Sequence, residues 1–182
     1  MKNPMSAAGL AAVIGRLDRD RTHDSISLTG GEPLLAADFI AELIPLCEGR
    51  SFYLETNGTL PRELRKVVRM VRTVAMDIKL ASATGQATDL KTAREFLTIA
   101  RRCDVFVKVV VSDRTTAQEV RGAARVIKAV SPDVPLVIQP VTPAARVKAP
   151  SPAQVLELQS AALGHLTGVR VIPQVHKLMG QK

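Results

Sequence analysis

The sequence predicts an α/β protein built from parallel βα units, and three observations carry that prediction. Short apolar runs alternate with amphipathic stretches along 182 residues. The runs hold few polar breaks, as strands covered on both faces do. Turn-forming residues (Gly49, Gly58 and Pro132) sit where the pattern changes.

The predicted strands are SISLT (25–29), SFYLET (51–56), TVAMDIK (73–79), VFVKVVV (105–111), PLVIQPV (135–141) and VRVIP (169–173). Helices are predicted over 36–47, 61–71, 90–102, 116–130 and 152–163. Thr115-Thr116 followed by Glu119 predicts a capped helix start, and Ser151-Pro152 places proline at a first helical position. This rhythm fits a doubly wound sheet and a βα barrel equally well. The length suits one domain spanning 1–182.

Composition narrows the function classes. The chain has no tryptophan and a single tyrosine, Tyr53, which argues against aromatic platforms for single-stranded nucleic acid. Its net charge of +8 is spread along helical segments, in pairs such as Arg65-Lys66 and Arg101-Arg102 that read as solvated faces. Residues 1–10 lack the apolar core of a signal peptide, and no run approaches the ~20 apolar residues of a membrane span, so a cytoplasmic protein is expected. Cys47 and Cys103 form no CxxC pair and are expected to be buried free thiols.

Polar residues gather at the carboxyl ends of the predicted strands. These are Thr29-Gly30-Gly31-Glu32, Glu55-Thr56-Asn57-Gly58, Asp77-Ile78-Lys79, Lys108 and Gln139-Pro140. Each has a plain structural role available: Asn57-Gly58 as a turn, Asp77 with Lys79 as a pair, Lys108 as a snorkelling side chain. Five strands delivering polar groups to one rim nevertheless point to a ligand, since burying such groups unpaired costs free energy. Glu32 and Glu55 suit a cationic group, and Lys79 and Lys108 a carboxylate, so an amino-acid-like moiety is expected. Neither GxxxxGK[ST] nor GxGxxG occurs, which disfavours a phosphate site.

TGGEPLL, with ETNG, MDIK, KVVV and IQPVTP following in order, resembles the radical S-adenosylmethionine superfamily. The closing VRVIPQVHKLMG is similar to the tail of the 7-carboxy-7-deazaguanine synthase family of deazapurine biosynthesis. The resemblance implies a partial (βα) barrel with the first βα unit missing. It also implies S-adenosylmethionine, a [4Fe–4S] cluster and Mg²⁺, and conversion of 6-carboxy-tetrahydropterin to 7-carboxy-7-deazaguanine. By the same resemblance, Gly30, Gly31, Glu32, Asp77, Ile78, Lys79, Gln139, Pro140, Val141 and Thr142 bind the cofactor. Thr29, Glu55, Asn57, Lys108, Gln174 and His176 face the pterin-like substrate. A homodimer and a reductant such as flavodoxin are implied for the whole enzyme.

The chain departs from that pattern where the cluster should be held. Nothing before Thr29 is cysteine, so the three thiolates of a CxxxCxxC loop, and the magnesium position beside it, are absent. Residues 1–20 resemble the helix after that loop, so a truncated domain with an exposed strand edge, inert on its own, is expected. Two other readings stay open: an activase that installs a glycyl radical on a partner, and a cluster-less module that only binds the nucleoside. Nucleic-acid binding ranks last.

Overall fold

The computed structural model describes residues 5–143 and 147–180. Six parallel strands form one sheet in the order β1-β2-β3-β4-β5-β6: Ile26–Leu28, Phe52–Thr56, Thr73–Asp77, Asp104–Val111, Leu136–Pro140 and Val169–Val171. The helices are α1 (Ala7–Leu17), α2 (Ala37–Leu43), α3 (Pro61–Val67), α4 (Ala81–Thr84), α5 (Leu90–Ala100), α6 (Ala117–Val130), α7 (Pro152–Leu163) and α8 (Val175–Leu178).

Strand order settles the architecture that periodicity leaves open. Parallel crossovers are almost always right-handed, so a strictly sequential order puts every connecting helix on the same face of the sheet. The helices accordingly form one layer, in which α1 packs on α2, α2 on α3, α3 on α5, α5 on α6 and α6 on α7. A doubly wound sheet would require a reversal of order. This is an open, partial barrel, with helices outside and a bare inner face.

Alternation along the strands sorts the side chains between those two faces. Phe52, Leu54, Val74, Met76, Val107 and Ile138 point outward and are fully buried beneath Leu64, Phe96, Leu97, Val120 and Ile127 of the helices. Each such burial contributes about 1.5–3 kcal/mol. Tyr53, Glu55, Asp77, Phe106, Lys108 and Gln139 occupy the other parity and are only partly covered.

Helix boundaries follow local chemistry. Thr116 and Glu119 form the expected capping box, and Glu119 also accepts from the Ser82 amide at 2.7 Å, fastening α6 to α4. Burial alone would push the Glu119 carboxyl up, but donors from Thr116 and Ser82 outweigh it and hold the group below its ordinary value. Ser151 caps α7 with Pro152 at its first position. The helix expected over 36–47 is broken into a 3₁₀ turn (Pro33–Ala36), α2 and a second 3₁₀ turn (Ile44–Leu46), because Pro45 lacks the amide an α-helix would use. No helix of the described residues is long and apolar enough to cross a membrane.

Candidate functional site

The loop after β1 is built to leave space beside its backbone. Gly30 has φ +135°, a conformation that L side chains rarely adopt, and a Cβ placed on Gly30 or Gly31 would meet nothing within 4 Å. Glu32 closes the loop. Its Oε1 accepts from the Leu34 amide at 3.1 Å and from Thr56 Oγ1 at 2.8 Å, while Oε2 accepts from the Asn57 amide at 2.8 Å. This carboxylate therefore stitches the β1 loop to the β2 loop and has little accepting capacity left for a ligand.

The next strands place charges beside that loop. Asp77 and Lys108 are register partners across β3 and β4, and Glu55 is the register partner of Ala75 across β2 and β3. Lys79 Nζ lies 2.7 Å from Asp77 Oδ2, so the simple pairing occurs. Asp77 Oδ1, however, is buried without a hydrogen-bond partner among the described residues. Glu55 and Lys108 form neither an ion pair nor a side-chain hydrogen bond among the described residues. Unsatisfied buried acceptors and unpaired charges at the carboxyl rim are what a polar ligand would satisfy.

Two cavities meet here. One, of about 240 Å³, lies against Thr29, Gly30, Gly31, Glu32, Asn57, Asp77 and Lys79. The other, of about 390 Å³, is walled by Tyr53, Phe106, Val137, Gln139, Arg170 and Ile172. Glu55, Ala75 and Lys108 line both. The rings of Tyr53 and Phe106 lie 6.4 Å apart in a tilted arrangement. Burial, reinforced by the charge of Glu55, pushes the Tyr53 phenol up to about 12, so it stays a neutral hydrogen-bond donor.

The predicted site residues are not all brought together. Gly30, Gly31, Glu32, Asp77 and Lys79 share the smaller cavity, together with Thr29 and Asn57, which the resemblance had given to the substrate. Asn57 also makes its own turn, its Oδ1 accepting from the Thr59 amide at 3.0 Å and from Thr59 Oγ1 at 2.6 Å. Gln139 faces the larger cavity. Ile78 is core: it has the opposite parity to Asp77, is 3% exposed, and its amide donates to the Lys108 carbonyl. Val141 lines a separate cavity of about 280 Å³ with Ser112 and Arg114. Pro140 ends β5 and lines neither of the two cavities described above, and the Thr142 amide donates to Gln174 Oε1 at 2.9 Å. That bond ties the tail to the β5 loop and occupies an acceptor on Gln174. His176 lies in α8, and its side chain is outside the described set.

The sequence reading does not single out several residues that line the larger cavity, among them Tyr53, Ala75, Phe106 and Arg170. The signal was present, since each shares strand parity with a residue already singled out or sits one register step away.

The residues present do not fit an iron–sulfur cluster. Cys47 precedes β2 and Cys103 immediately precedes β4, which places both thiols at the opposite, amino-terminal rim. Burial pushes the Cys47 thiol up, and burial with the neighbouring Asp104 charge pushes Cys103 up to about 11, the reverse of what a thiolate ligand requires. Among the described residues, no group of three or more His, Cys, Asp or Glu side chains could hold a metal.

No protein-family model matches the chain. It is 43% identical to the 7-carboxy-7-deazaguanine synthase of Geobacter sulfurreducens, covering 98% of this chain and 73% of that relative. It is 38% identical to the enzyme of that name from Archaeoglobus fulgidus, over 99% of this chain and 75% of the relative. Among solved structures it resembles a radical SAM methyltransferase from Sphaerobacter thermophilus, with TM-score 0.68 and 15% identity. It also resembles Streptococcus suis SuiB bound to S-adenosylmethionine, with TM-score 0.65 and 13% identity. The chain spans 58% and 44% of those two structures, and at such identities they speak to the fold alone. At the sequence level the match is far stronger: the chain belongs to the 7-carboxy-7-deazaguanine synthase family.

Proposed function

We propose that this chain carries the cofactor- and substrate-binding part of a 7-carboxy-7-deazaguanine synthase, acting on 6-carboxy-tetrahydropterin. The observation that carries the reading is the pair of cavities at the carboxyl rim that share Glu55, Ala75 and Lys108 as lining, with the charges of Glu55 and Lys108 unpaired among the described residues. In this reading the smaller cavity takes the methionine end of S-adenosylmethionine. Backbone amides of Gly30-Gly31 and the ammonium of Lys79 face its carboxylate, while Asp77 Oδ1 accepts from its ammonium or a ribose hydroxyl. Glu32 acts indirectly, by holding the two loops at fixed spacing. Val141 and its neighbours offer an apolar wall for the adenine.

The larger cavity takes the pterin. Tyr53 and Phe106 form an aromatic wall for a flat ring, and Lys108 with Arg170 supplies cations for its carboxylate. Gln139 and the neutral Tyr53 hydroxyl add ring hydrogen bonds. Bound S-adenosylmethionine would supply the starting radical when one electron from an external reductant breaks its sulfur–carbon bond and releases methionine. No step is assigned to a cluster, because the thiols present do not fit one.

Residues 1–182 are read as one radical S-adenosylmethionine domain of a cytoplasmic enzyme; a homodimer and a reductant such as flavodoxin belong to the proposal for the whole enzyme. The position of both cysteines at the opposite rim favours a second reading for these residues alone: a module that binds without turnover. Calorimetry on the iron-free chain tests the first requirement of both. S-adenosylmethionine and pterin-6-carboxylate should each bind with one-to-one stoichiometry; a folded chain that binds neither would overturn them.

A further inference from the structure

Of the three residues that line both cavities, Ala75 is out of keeping in size with its surroundings. On the inner face, β2 presents Tyr53 and Glu55, β4 presents Phe106 and Lys108, and β5 presents Val137 and Gln139. Between them β3 presents Ala75, with Glu55 as its register partner on one side and Phe106 on the other. Ala75 is 3% exposed because these longer neighbours overhang it, yet it lines both cavities. Alanine is a poor strand residue, and a central strand ordinarily gains from a β-branched side chain here. Nothing in the helix-side core demands the small size, since Ala75 has the opposite parity to the core residues Val74 and Met76.

We propose that Ala75 is a positioning residue that forms the waist between the cofactor cavity and the substrate cavity. Its lack of atoms beyond Cβ lets a ligand in one cavity reach van der Waals contact with a ligand in the other. Glu55 and Lys108 stand at the same waist with opposite charge, so each can serve either ligand. A larger residue at 75 would leave room for each ligand singly and remove the room in which they meet. The inference rests on the assignment of the two cavities given above and adds to it what sets the distance between their occupants.

Calorimetry with S-adenosylhomocysteine and pterin-6-carboxylate on the chain and its Ala75→Ser, Ala75→Val and Ala75→Leu variants tests this. In Ala75→Leu, the affinity measured for each ligand alone is the reference for that variant. Binding of either one to protein saturated with the other should weaken by about tenfold or more. Ala75→Ser should restore the parent behaviour and Ala75→Val should fall between. Melting curves establish that each variant is folded, and Ala75→Val carries the comparison if the leucine variant is not. The inference is overturned if the second ligand binds to the bulky variant as it does to the parent. It is equally overturned if a folded bulky variant loses both ligands singly. A parent chain that binds neither ligand removes the cavity assignment and the waist together; a parent that binds both while the variants do the same removes only the waist.

Discussion

The two rims of the sheet treat charge in opposite ways. At the amino-terminal rim, Asp18 is 7% exposed and fully engaged: Arg50 Nε lies 3.0 Å from its Oδ2, Arg50 Nη2 lies 3.0 Å from its carbonyl, and His23 Nδ1 lies 2.9 Å from its Oδ1. Arg72 pairs with Asp24 at the same edge. At the carboxyl rim, Glu55 and Lys108 have no such partners among the described residues, and Asp77 keeps one oxygen unsatisfied. Charges that satisfy one another stabilise a fold; charges held apart from one another are available to a ligand. The difference teaches which end of a uniform βα scaffold pairs its charges and which leaves them open to a ligand, without reference to any family.

Exchanging the roles of the rims in experiment would break that comparison. The largest loss of stability is expected at the amino-terminal rim. Arg50→Ala strips the buried Asp18 of two hydrogen bonds and should lower the melting temperature by several degrees, with ligand affinity per folded molecule unchanged. At the other rim Lys108→Met should leave the melting temperature nearly unchanged and weaken pterin-6-carboxylate binding about ten- to a hundredfold, the worth of a charge-assisted contact. If Lys108→Met instead costs stability and spares binding, the assignment of the rims is reversed.

A third test separates loop geometry from charge. Gly58 has φ +70°, and a Cβ there would stand 2.7 Å from Met76 Cε, so Gly58→Ala should cost about 1–3 kcal/mol in denaturant unfolding. Because Gly58 ends the turn that also places Asn57 against Glu32, this variant should weaken cofactor binding as well.

Acid sharpens the contrast further. The hydrogen bond with His23, opposed by burial and assisted by Arg50, holds the Asp18 carboxyl below its ordinary value of 3.8. A depressed folded value means the stabilisation is present above the unfolded value and is lost as pH falls through the folded one. The melting temperature of the parent should therefore drop more steeply below about pH 4 than that of Asp18→Asn. The smallest effect is spectroscopic. Tyr53 is the sole tyrosine, so absorbance at high pH reports it alone: the folded protein should retain a neutral phenol at pH values where an unfolded chain, near 10, has ionised.

Much of this was legible in the sequence, and for definite reasons. The six strands were readable because each is an apolar run too short for a helix, and the carboxyl-rim cluster because polar residues recur at their ends. The Thr116–Glu119 cap and Pro152 were readable because capping is chemistry between near neighbours. Tyr53, Phe106 and Arg170 were missed because they sit within the strands rather than at their ends. Parity would have assigned them a face, but not the knowledge that this face is open. Glu32 was read as a ligand grip, whereas Thr56 and Asn57, more than twenty residues away, claim most of its acceptors.

By itself the sequence determined the strand–helix rhythm, the edge of the sheet at which polar residues gather and the family, because all three are written in local residue patterns. Only the tertiary structure decided that the strands run in sequential order, that one face is left bare, that Ile78 is core, and that Glu55, Ala75 and Lys108 join two cavities. Those facts depend on which strand lies beside which and in what register, and a parallel sheet sets both through contacts between residues distant along the chain.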